Sequence, residues 1–213
     1  MQTVFTDTRI LIFTKLPLPG KCKSRLIEVL GKNGAANLQA KLVKKIIMDL
    51  SGFNLCPFEI WQSEPGDYFS QWLYKRNIKI PVHFQQGKDL GMRMVNAIEQ
   101  TLREVSNVII IGSDCLLYSY DYLATAITRL QNNDVVIGPA TDGGYVLIGM
   151  QQVFPMLFDG IHWGTDSVFE QTVAKLQAEK HRYHCLETLW DIDRSSDLNL
   201  VRQISPEIMD FSL

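Results

Sequence analysis

The sequence predicts an α/β protein of three layers, with helices on both faces of a mainly parallel sheet. Three observations carry that prediction. Short apolar or β-branched runs alternate with longer amphipathic stretches along most of the chain. Two of the runs, Ile10–Phe13 (ILIF) and Val108–Ile111 (VIII), are apolar at every position, as strands covered on both faces are. Between them, apolar residues recur at helical spacing, as in Leu38, Leu42, Ile46 and Leu50. The two apolar runs are expected side by side in the middle of the sheet.

The remaining elements follow in order. A helix is expected over Ala35–Leu50 and a second strand over Phe58–Trp61. Tyr68–Lys75 reads as helical and Val82–Gln85 as a short third strand. Asp89 is a candidate N-cap for a helix over Leu90–Val105. Ser119 or Asp121 caps the next helix, which carries Leu123, Ile127 and Leu130. Val135–Ile137 and Tyr145–Ile148 are strands separated by a turn-rich TDGG. Thr165 is the candidate cap of a helix whose inner face holds Val168, Phe169, Val173 and Leu176. Asp197 reads as the cap of the final helix.

The chain has 213 residues, which suits one large domain, so residues 1–213 are read as a single unit. Its formal net charge of −2 gives no global basic field, which argues against nucleic acid and makes any anion site local. Cys22, Cys56, Cys115 and Cys185 are scattered without a CxxC pair, so neither a zinc knuckle nor a redox motif is expected. Reduced thiols suit a cytoplasmic protein. The start MQTVFTDTRI lacks the pattern of a signal peptide, and no run approaches a membrane span.

Ligands of open α/β sheets sit beyond the carboxyl ends of the strands, so the loops there are the ones to inspect. The first strand runs into a loop with four cations in eleven residues, Lys15, Lys21, Lys23 and Arg25. Pro17 and Pro19 stiffen that loop, and Gly20 permits a turn or a close approach. A diphosphate needs this combination of fixed backbone donors and cations, although the Walker spacing is absent. Arg93 follows Asp89 in a first helical turn, where backbone amides and a cation can meet an anion.

Asp114 ends the central run, where a carboxylate can hold Mg²⁺ or Mn²⁺ against phosphates. Asp142, Gly143 and Gly144 lie at a strand junction, with a carboxylate for sugar hydroxyls beside a flexible backbone. Trp163 precedes a helix and offers a stacking face. Asp191 and Asp193 share one face if the segment is extended, and either can supply a second metal oxygen. Each feature also has a plain structural explanation: a solvated loop, a cap, a hairpin turn or a packed aromatic.

Taken in order, FTKLPLPGKCKSRL, QGKDLGMRM, IIIGSDC, VVIGPATDGGYVLIGM, HWGTDSV and DIDRSSDL span Phe13 to Leu198. Together they resemble the bacterial GT-A-like proteins of the nucleotide-diphospho-sugar transferase superfamily, described as glycosyltransferases and related to molybdenum-cofactor and coenzyme nucleotidyltransferases. The resemblance implies a Rossmann-like GT-A fold. It implies phosphates at Lys15, Lys21, Lys23 and Arg25, a metal at Asp114 with Asp191 or Asp193, and the donor group beside Asp142, Gly143 and Gly144. The leading reading is sugar transfer from a nucleotide-sugar to a small-molecule acceptor, with Asp114 and Asp142 as the catalytic residues, Asp142 as the candidate base. Nucleotidyl transfer from an NTP and non-catalytic nucleotide-sugar binding are the alternatives. The chain departs from the family after GSDC, where Leu116 and Leu117 replace a proline and a polar or acidic residue. Ser195 and Ser196 stand where Pro-Glu is common.

Overall fold

The computed structural model describes residues 3–210. Its strands are β1 (Thr8–Thr14), β2 (Phe58–Gln62), β3 (Val82–Phe84), β4 (Asn107–Gly112), β5 (Val135–Pro139), β6 (Tyr145–Met150) and β7 (Tyr183–Cys185). Its helices are α1 (Ile27–Phe53), α2 (Tyr68–Tyr74), α3 (Leu90–Thr101), α4 (Tyr120–Leu130), α5 (Val168–Ala178) and α6 (Asp197–Ile204). The strands form one sheet in the order β3-β2-β1-β4-β6-β5-β7.

The expectation for the two apolar runs holds: β1 and β4 are adjacent and parallel, with Ile12 opposite Ile111. The β1–β2, β2–β3 and β5–β7 pairs are also parallel. Only β6 runs against its neighbours, pairing antiparallel with β4 and β5. The hairpin between β5 and β6 makes that reversal possible, because antiparallel strands need only a tight turn.

Alternation along the strands sends each side chain to one of two helical layers. Ile10, Ile12, Ile109 and Ile111 face a core shared with Val43 and Ile47 of α1, Phe69 of α2 and Ile127 of α4. Leu11, Phe13, Val108 and Ile110 face the other core, with Met94 and Ile98 of α3 and Leu176 of α5. A third cluster joins Leu26, Leu38 and Leu42 to Ile192, Leu198 and Val201, and so fastens the C-terminal segment beside α1. The fold class read from the sequence, three layers about a mainly parallel sheet, is the one observed.

Several boundaries differ from expectation. α1 begins at Ile27, eight residues before Ala35, and is interrupted at Gly31 (φ 69°). α3 stops at Thr101 rather than Val105, because Arg103 and Glu104 bond back only three residues and tighten the end. Asp89 caps α3 as expected, accepting from the Met92 amide at 2.8 Å. Ser119, and not Asp121, caps α4, accepting from Tyr122 N at 3.1 Å.

Thr165 does not cap α5. Its hydroxyl donates to the His162 carbonyl at 2.7 Å, closing a turn within the loop, and α5 starts three residues later at Val168. Asp197 is the first residue of α6 rather than its cap. Its carboxylate instead accepts from the amides of Asp193 (2.9 Å) and Arg194 (2.6 Å), which shapes the preceding turn. β7 went unread: three residues, half-buried or exposed, carry no apolar run.

Candidate functional site

A cavity of about 370 Å³ opens at the carboxyl ends of β1 and β4. Its floor is built by a buried amide. Gln39, on the inner face of α1, donates to Thr14 Oγ1 at 3.0 Å and to Ser113 Oγ at 2.9 Å. One side chain thereby fixes the hydroxyls at the carboxyl ends of the two central strands, and the Ser113 hydroxyl lies 3.4 Å from Asp114 Oδ1. Gln85, at the end of β3, donates to the Trp61 and Thr14 carbonyls at 2.7 and 3.3 Å. A buried polar side chain is tolerated when its hydrogen bonds are made, and Gln39 is 2% exposed.

The basic loop brings only part of its charge to the cavity, which Lys15 and Lys23 line and Lys21 and Arg25 do not. Lys15 is exposed and lines the cavity. Gly20 turns the loop at φ 83° on its exposed side. Lys21 points away, 3.6 Å from Glu64 Oε2, and does not line the cavity. Lys23 lines the cavity but is buried in its wall, with Nζ 2.8 Å from Asp114 Oδ1 and donating to the Ile192 carbonyl. Arg25 pairs with the Asp193 carboxylate. Arg93 lines the cavity, its Nε donating to the Gly87 carbonyl at 3.2 Å.

The late acidic segment reaches the same edge. Asp193 lines the cavity, and the Ile192 amide donates to the Asp114 carbonyl at 2.8 Å. Asp191 is half-buried, and its carboxyl is pushed up to about 6. Burial is the main cause, followed by the negative charges of Asp142, Asp114 and Asp193. Among the described residues no three Asp, Glu, His or Cys side chains form a ready metal set.

The residues expected beside a donor sugar lie outside the cavity wall. Asp142 is exposed, and its Oδ1 accepts from the Gly144 amide at 2.8 Å. Gly143 (φ 89°) is packed so closely that a Cβ there would lie 2.0 Å from the Asp166 carbonyl oxygen. Trp163 stands edge-on to Tyr145, with ring centroids 6.4 Å apart, and packs over Gly91. Tyr145, not Trp163, faces the cavity. Leu116 and Leu117, which replace the family's proline and polar residue, pack against two of the hydrophobic clusters.

Sequence reasoning missed Thr14, Gln39, Ser63, Gln85 and Ser113, all of which line the cavity. One signal was available: Gln39 is the polar residue on an apolar face between Leu38 and Leu42.

This architecture is the nucleotide-diphospho-sugar transferase fold. The chain belongs to DUF2064, described as an uncharacterized protein conserved in bacteria, whose model matches residues 49–165. It is similar to a Desulfovibrio desulfuricans protein named provisionally as a nucleotide-diphospho-sugar transferase, at 32% identity, over 94% of this chain and 90% of that one, with a TM-score of 0.84. The inositol-1-phosphate CTP transferase from T. maritima shares the fold at 13% identity, over 99% of each chain, with a TM-score of 0.60. So does the 4-diphosphocytidyl-2C-methyl-D-erythritol synthase from Anaerococcus prevotii, at 9% identity over 93% and 97%, with a TM-score of 0.62. None of the curated proteins matches. No described helix is long and apolar enough to cross a membrane.

Proposed function

We propose that the protein is a transferase that takes a nucleotide-diphosphate-sugar as donor and passes the sugar to a small-molecule acceptor. The observation that carries this reading is the cavity at the β1 and β4 ends, which sets Lys15, Lys23, Ser24 and Arg93 beside Asp114 on a hydroxyl-rich floor. The 32% identical relative, itself named for nucleotide-diphospho-sugar transfer, supports it. In the reaction an acceptor oxygen bonds to the anomeric carbon while the bond to the diphosphate oxygen breaks. The nucleoside diphosphate leaves with the electron pair, and the acceptor proton passes to a base. Lys15 and Arg93 would receive the growing charge on the diphosphate, where fixed cations are most effective. Asp142, exposed in the turn before β6, is our choice of base.

Carboxylates are the oxygen donors that a hard divalent cation such as Mg²⁺ or Mn²⁺ takes, and burial together with the nearby charges of Asp142, Asp114 and Asp193 pushes the Asp191 carboxyl up to about 6. Asp114 and Asp191 or Asp193 would hold it, and phosphate oxygens would complete its shell. When bound, such an ion neutralises charge on the departing diphosphate.

A thermal-shift panel of nucleotide-sugars, nucleoside diphosphates and NTPs, with Mg²⁺, Mn²⁺ or chelator, tests the reading. A nucleotide-sugar that raises the melting temperature and yields nucleoside diphosphate with an acceptor supports it. Pyrophosphate release from an NTP and a phosphorylated acceptor replaces it with nucleotidyl transfer. Stabilisation without turnover over a broad acceptor panel leaves a binding protein.

A further inference from the structure

The basic loop was expected to point its cations at phosphate, yet Lys23 turns inward. Its backbone adopts φ 48° and ψ 45°, a left-handed conformation uncommon for a residue with a long side chain. That conformation carries the side chain into the protein, where only 2% of it is exposed. Two oxygens receive the ammonium there: Asp114 Oδ1 at 2.8 Å and the Ile192 carbonyl. The Ile192 amide in turn donates to the Asp114 carbonyl at 2.8 Å. Lys23, Asp114 and Ile192 therefore close a ring of contacts joining the basic loop, the end of β4 and the late acidic segment.

A buried ammonium must keep its partners, because leaving either charge unpaired in the interior is costly. Lys23 does line the cavity, but two of its three ammonium donors are spent on a carboxylate and a carbonyl, so a diphosphate could draw on one donor at most. Lys15 and Arg93 face the same cavity without that commitment. Arg25 makes a comparable pair with Asp193, but its side chain is 57% exposed and water can replace the partner.

We propose that Lys23 is a positioning residue: it neutralises Asp114 and pins the 191–193 segment over the end of β4, leaving the diphosphate to Lys15 and Arg93. The inference rests on the proposed function for its diphosphate, but the clasp itself does not. Asp114 keeps 48% of its side chain exposed, so the pairing leaves it open towards solvent.

The test uses Lys23→Gln, Asp114→Asn and the double variant, with inorganic pyrophosphate in chelator as the probe. Calorimetry should show opposite signs for the single changes. Lys23→Gln bares the Asp114 charge and weakens pyrophosphate binding several-fold. Asp114→Asn bares the Lys23 charge and tightens it several-fold. The double variant, neutral like the native pair, should come back to within about twofold of the wild type. A direct phosphate contact predicts instead that the double variant loses about tenfold or more, since charge-assisted hydrogen bonds are worth about 1.5–3 kcal/mol.

Hydrogen exchange reads the clasp without any ligand. The Ile192 amide should exchange at least about tenfold faster in Lys23→Gln, and Lys23→Arg, which keeps the charge, should restore slow exchange. A tenfold loss in the double variant, or unchanged exchange in Lys23→Gln, overturns the proposal. If the wild type binds no pyrophosphate either in chelator or with Mg²⁺, the proposed function fails, and hydrogen exchange still decides the clasp.

Discussion

The two halves of the sheet meet at β4 and arrive at the cavity in different ways. On one side β3, β2, β1 and β4 run parallel, so their carboxyl ends share one edge. Each end delivers a polar residue there: Gln85, Ser63, Thr14 and Ser113 all line the cavity. On the other side β6 is antiparallel, so its first residue, Tyr145, comes to that edge with the 140–144 turn beyond it. The turn is clamped: the Gly143 carbonyl accepts from the Phe169 amide at 2.9 Å, and Gly143 lies against the Asp166 backbone. The parallel half therefore offers exchangeable side chains on fixed strand ends, whereas the hairpin half offers a backbone shape that tolerates little change.

That contrast can be broken most forcefully at Gly143. Alanine there must accept φ 89° and a Cβ 2.0 Å from the Asp166 carbonyl oxygen, so the loop before α5 has to move. Strain of about 1–3 kcal/mol from overpacking, plus about 1–2 kcal/mol for the left-handed backbone, predicts a loss near 3 kcal/mol in urea unfolding. A loss below 1 kcal/mol would mean the hairpin half is as yielding as the parallel half.

In the parallel half, Gln39→Leu removes the donor to both Thr14 and Ser113. Because those hydroxyls border the cavity and water can reach them, the expected loss is about 1–2 kcal/mol, within the range for one or two hydrogen bonds. Weaker nucleotide binding should accompany it, measured by calorimetry on the folded variant.

Arg93→Ala sharpens the comparison by acting on binding alone. It should weaken nucleoside diphosphate binding about tenfold, or about 1.4 kcal/mol, with a melting temperature close to that of the wild type. Lys21→Ala serves as the control, since Lys21 faces Glu64 rather than the cavity, and should change affinity by less than about twofold. Equal effects of the two substitutions would return the whole basic loop to a diffuse electrostatic role.

The smallest effect belongs to the far end of the hairpin half. Asp134 accepts from the Arg182 amide at 2.9 Å and from its guanidinium, and these bonds hold its carboxyl below the usual range. A lowered folded value contributes stability that is present above the unfolded carboxylate value, near 3.9, and is lost as pH falls through the folded value. Asp134→Asn should therefore lose slightly more stability at pH 6 than at pH 3 in urea unfolding. An equal loss at both would show the carboxylate charge contributes nothing.

Much of this was legible in the chain. ILIF and VIII declared two central strands because residues apolar at every position fit only a strand covered on both faces. Asp89 and Ser119 declared helix starts because capping is local chemistry, complete within three residues. Six ordered motifs declared the fold family. Thr165 misled for the same local reason: its hydroxyl was used by His162 in its own turn before α5 began. β7 stayed hidden because a three-residue edge strand exists only through its partner β5.

The sequence by itself determined six of the seven strands, the caps at Asp89 and Ser119 and the order of the charges, since periodicity and capping act over a few residues. Only the tertiary structure decided which charges remain available. Lys15, Lys21, Lys23 and Arg25 look alike along the chain. Burial then commits Lys23 to Asp114, leaves Arg25 on the surface with Asp193, turns Lys21 to Glu64 and leaves Lys15 at the cavity. Those partners are 91, 168 and 43 residues away for Lys23, Arg25 and Lys21. The strength of an ion pair depends on its surrounding dielectric, which is a property of the packed molecule and not of residue order.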